Sequence, residues 1–111
     1  QKPNTGRGRP TTQNDLKTYE FKSNILLGGS ILSPDRIVVT DSQVIYKKRN
    51  KYLIGTDESS IPFSRISSVE IDRKLIDSDI IIYSTGNQTI IAGDFSIGDA
   101  KKIKKIIEER I

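Results

Sequence analysis

The 111 residues carry 18 Lys and Arg against 14 Asp and Glu, and no Cys, His or Met. That composition excludes thiol nucleophiles, disulfides, His-based triads and the usual ligands of zinc, haem and iron–sulfur sites, and there is no run of 18 apolar residues to cross a bilayer as a helix. The net charge of +4 sits at the front: residues 1–24 hold five basic and two acidic side chains, residues 25–111 hold 13 and 12.

The first 17 residues contain one large aliphatic side chain, Leu16, among Pro, Gly, Thr, Asn and Gln. They bury too little to offset the entropy of ordering, so residues 1–18 are expected to be an extended or disordered basic arm and residues 19–111 a single domain. The arm lacks the apolar core of a signal peptide. An intracellular location, or one within a virus particle, is therefore expected, and the missing initiator Met suggests a processed product or a piece of a longer protein.

From Tyr19 the pattern changes. "YEFKSNILL" begins an alternating strand, and "GGS" turns it. "RIVVT" (36–40) is a β-branched strand, "DSQ" (41–43) a turn, and "VIYKK" (44–48) the returning strand. "RN" (49–50) offers a second turn before "KYLIGT" (51–56), and "DESS" (57–60) is expected to break the chain again. "IPF" (61–63) is short and extended, with Pro62 at a strand start or bulge because it cannot donate a ladder bond. A strand through Ile66, Val69 and Ile71 follows. "IIIYS" (80–84), "TGNQ" and "TIIAG" (89–93) form a hairpin. Then the period lengthens. Ile97, Ala100, Ile103, Ile107 and Ile111 mark one face of a helix, with Ser96 and Asp99 in capping-box positions.

These elements predict a mainly β fold of six or seven short strands and one carboxy-terminal amphipathic helix. The order "RIVVTDSQVIYKK", then "IPFSRISSVEI", then "IIIYSTGNQTIIAG" leading into the helix resembles the bacterial and viral branch of the pleckstrin-homology (PH) superfold. The likeness covers roughly residues 30–111. It implies a bent antiparallel sheet or partly open barrel with the helix at the open corner, and a domain that works by binding.

Four groups of side chains are candidates for that binding. Arg7, Gly8, Arg9 and Pro10 form an Arg-Gly-Arg-Pro arm of the type that enters AT-rich minor grooves. Its flanks are neutral, and an extended Pro/Gly/Arg segment equally suits a protein partner. Lys47, Lys48, Arg49 and Lys51 cluster at an expected hairpin tip, where an anionic lipid or phosphate could bind. Lys101, Lys102, Lys104 and Lys105 lie off the apolar helix face, with Lys104–Glu108 and Lys105–Glu109 spaced to pair. Asp72, Asp77 and Asp79 adjoin Arg73 and Lys74 in expected turns, which suits turn chemistry more than acid–base work. No catalytic, cofactor or metal motif is present. The leading expectation is a non-catalytic protein-interaction or assembly module, with nucleic-acid binding through the arm or membrane binding through 47–51 as alternatives.

Overall fold

Apolar side chains from both sheets and the carboxy-terminal helix meet in a single core. Residues 17–23, 34–49 and 56–111 are described by the computed structural model; residues 1–16 of the arm, the segment 24–33 and the stretch 50–55 lie outside them. So do Arg7, Gly8, Arg9, Pro10 and Lys51, and most of the strand expected at 51–56.

Four antiparallel strands form the first sheet in chain order: β1 (Tyr19–Lys22), β2 (Arg36–Val39), β3 (Gln43–Arg49) and β4 (Thr56–Pro62). Alternation along β2 and β3 sends Ile37, Val39, Val44 and Tyr46 inward, and leaves Val38, Ile45 and Lys47 on the outer face. Thr40 shapes the β2–β3 turn, its hydroxyl accepting from the amides of Ser42 and Gln43. The second sheet holds β5 (Ile66–Arg73), β6 (Ser78–Ser84) and β7 (Thr89–Phe95), again antiparallel and in chain order. Its inward residues include Val69, Ile80, Ile82, Ile90 and Ala92.

Asp57–Ser60 do not break the chain as expected; they lie within β4. Pairing overrides the turn propensity of that run, because the register sets Asp57 opposite Lys48 and Glu58 opposite Lys47, and opposite charges across strands favour the ladder. Arg49 likewise belongs to β3 and not to a turn. Pro62 ends β4, where its lack of an N–H costs the ladder least. A 3-10 turn at Phe63–Arg65 then carries the chain into the second sheet.

Helix α1 (Ile97–Arg110) follows β7 directly. Ser96 is its N-cap, the hydroxyl accepting from the Asp99 amide at 3.1 Å. Ala100, Ile103, Ile106 and Ile107 are buried, whereas Ile111 is exposed. The buried stripe therefore follows an i, i+3, i+4 spacing through Ile106, and Ile111 lies just past the last turn. The result is two unclosed sheets packed through their inner faces with one carboxy-terminal helix, which is a PH-like architecture.

Candidate functional site

Side chains that could contact a partner gather on the outer faces of the two sheets. On the first sheet, the register aligns Lys22 with Arg36 and Arg36 with Lys47, so three cations form a row across three strands. Arg36 also pairs with Glu20 at 3.4 Å, and Glu58 stands opposite Lys47 at the end of the row. The cluster expected at 47–51 is therefore divided. Lys47 joins the outer row, while Lys48, one residue on, projects to the other face. Lys22 and Arg36 are the members that sequence reasoning missed, since only the strand register brings them beside Lys47.

On the second sheet the polarity reverses. Asp79 and Asp72 face each other across β5 and β6, and a bulge in β7 brings Asp94 alongside. Asp94 has a φ of 67°, left-handed backbone that Asp tolerates better than most side chains. Beside it, a Cβ on Gly93 would stand 3.1 Å from Asp79 Oδ1; glycine leaves room for that carboxylate to lie across the strand. The Asp94 amide donates to the same oxygen at 3.3 Å. Lys74 Nζ closes the group, 2.9 Å from Asp79, 3.2 Å from Asp94 and 3.8 Å from Asp77.

Asp72 and Asp79 lie within strands and not in the turns expected for them, and Asp77, Asp79 and Asp94 thus converge on Lys74. What they surround is an ammonium ion from the same chain. Hydrogen bonds from Lys74 to Asp79 and Asp94 raise its pKa above the ordinary lysine value. Among the described residues no group of Asp, Glu, His or Cys is arranged to hold a metal ion. Nearby, the Tyr46 hydroxyl donates to Asp35 Oδ2 at 3.0 Å. Burial, then the Asp35 charge and hydrogen bond, push its pKa well up, with smaller contributions from Asp94 and Asp79.

Both shifts give an alkaline prediction. A proton held more tightly in the folded state stabilises it below the unfolded pKa, and that contribution is lost as pH rises toward the folded value. Urea midpoints are therefore expected to fall above about pH 10, the ordinary tyrosine and lysine range. Tyr46→Phe should flatten that fall and remove a late-titrating phenol from the absorbance profile.

Apolar side chains border the carboxylates. Leu75 and Ile76 form the β5–β6 turn and are 94% and 60% exposed, and Ile91 on β7 is 63% exposed. On the helix, Lys101, Lys102 and Lys105 are exposed and Lys104 Nζ lies 4.0 Å from Glu108, an ordinary solvated helix surface.

The bacterial PH domain family model matches residues 11–109, nearly the whole chain. The chain belongs to that family. Comparison with curated proteins and with solved structures gave no match. A bacterial PH domain is an interaction module of a generally non-catalytic kind. No described helix of this PH domain is long and apolar enough to cross a membrane.

Proposed function

We propose that this PH domain is a protein-interaction module of a larger assembly such as a virus particle, with residues 1–18 as a tether to a second surface. The supporting observation is the exposed Leu75, Ile76 and Ile91 beside Asp77, Asp79 and Asp94. Apolar side chains surrounded by carboxylates repel nucleic acid and anionic lipid and suit a protein surface with apolar and basic groups. Among the described residues, the Lys22–Arg36–Lys47 row favours an anionic surface instead, and Glu20 and Glu58 moderate it.

A photo-crosslinking side chain at position 75 of the full chain tests the reading in the native particle or cell. The expected result is a discrete protein adduct, lost in an Ile76→Ser, Ile91→Ser background and weakened when residues 1–18 are removed. Recovery of nucleic acid that is released by moderate salt, with no protein adduct, would replace the protein reading with the Arg7 and Arg9 hook. Liposome binding that disappears on Lys47→Ala would replace it with the membrane reading.

A further inference from the structure

The two outer faces match each other. On the first sheet, Val38 and Ile45 are cross-strand partners, half-buried, and sit two residues along their strands from Arg36 and Lys47. On the second, Ile81 and Ile91 are cross-strand partners, two residues from Asp79 on β6 and from the bulge at Gly93 on β7. Each face therefore carries an apolar pair with a charged row at the same step along the strands, close to 7 Å away at ~3.4 Å per residue. The signs are opposite. The first face holds Lys22, Arg36 and Lys47 against Glu20 and Glu58; the second holds Glu70, Asp72, Asp79 and Asp94 against Lys74.

The geometry points to a second copy of this chain as the occupant of the acidic face: the outer face of one copy's second sheet packs on the outer face of the next copy's first sheet. Laying Ile81 and Ile91 over Val38 and Ile45 brings the carboxylate row over the cationic row. Side chains of two facing sheets interdigitate in this way at about 10 Å separation. Because the sheets already pack through their inner faces, the two outer faces lie on opposite sides of the domain. The contact is heterologous, so it leaves one face free at each end and extends head to tail. Like charges along each row repel within a copy, and the opposing row of the next copy relieves that repulsion. This inference rests on the interaction-module reading and specifies one partner for it.

Sedimentation of the full chain over a range of concentrations at low ionic strength is the test. Reversible association is expected, and it should weaken in about 1 M salt, where the screening length falls to about 3 Å. Lys22→Glu and Asp72→Lys each reverse an exposed charge on one face, and each is expected to weaken association at least tenfold. Combined in one chain they set the new carboxylate at 22 opposite the new ammonium at 72, restoring that one charge pair, and should recover part of that loss. Ile91→Ser should weaken association without affecting folding, read by circular dichroism, and Lys101→Glu on the helix should change nothing. A chain that stays monomeric throughout overturns the inference, as does association that ignores Lys22→Glu and Asp72→Lys. A protein adduct at position 75 together with a monomeric chain would leave the interaction-module reading standing and remove only self-association.

Discussion

Phe95→Ala is expected to destabilise the domain by about 3–5 kcal/mol, as large aromatic truncations in a packed core do. Phe95 is fully buried and ends β7, one residue before the Ser96 cap of α1. Its cross-strand partner is Ser78, whose small side chain at a core position leaves space for the ring. Truncation opens a cavity where the second sheet hands the chain to the helix, a point flanked by the β7 bulge and the helix cap. Neither can shift inward without breaking its own hydrogen bonds, so collapse of the cavity should be incomplete. Small domains hold only about 5–15 kcal/mol in total, so this variant approaches the unfolding threshold. Urea denaturation measures it as a lowered midpoint at unchanged slope. Ile91→Ala, four residues earlier on the same strand but facing outward, should stay within about 0.5 kcal/mol of wild type. Equal losses at 91 and 95 would mean that the outer face is not free of the fold.

The contrast between those two residues also marks what the sequence made legible. Burial follows local period where the period is visible: the three-to-four spacing marked Ala100, Ile103 and Ile107, whereas the continuous apolar runs at 36–40 and 80–84 announced strands without saying that Ile37, Val39, Ile80 and Ile82 are the residues turned inward. Where local signals conflicted with pairing, pairing prevailed. Asp57–Ser60 have turn-forming side chains, yet they form strand because β3 offers seven ladder partners and two basic side chains opposite the acids. The site was less legible because it depends on register. Nothing near Lys47 in sequence points to Lys22 or Arg36, which arrive across two strand pairings. Asp94 lies 15 residues from Asp79 and 20 from Lys74, and reaches them only through the bulge and its left-handed backbone. A Gly-Asp pair at the end of a strand is the one local hint of such a bulge. Within the cluster at 47–51, Lys47 and Lys48 point to opposite faces of β3, as adjacent residues on a strand do.

Arg110→Ala is the second large effect expected, about 2 kcal/mol and therefore about 10 °C in melting temperature for a domain of this size. The Arg110 guanidinium donates to the Thr40 carbonyl at 2.6 Å and lies 5.6 Å from the centre of the Tyr19 ring. One side chain thus ties the last turn of α1 to the β2–β3 turn and to the edge strand of the first sheet. A cation at that position also complements the helix carbonyl end. Arg110→Lys should restore less than half of the loss, because a compact ammonium cannot bond the carbonyl and stack on the ring together. Tyr19→Leu in both backgrounds isolates the ring contact, with a coupling of about 0.5–1 kcal/mol expected from the double-mutant cycle. The tie matters beyond stability. The helix otherwise packs chiefly on β5 and β6, so Arg110 is a fastening between the sheet with the cationic row and the sheet with the carboxylates. If the two outer faces act together in assembly, Arg110→Ala should weaken association even at temperatures where the variant remains folded.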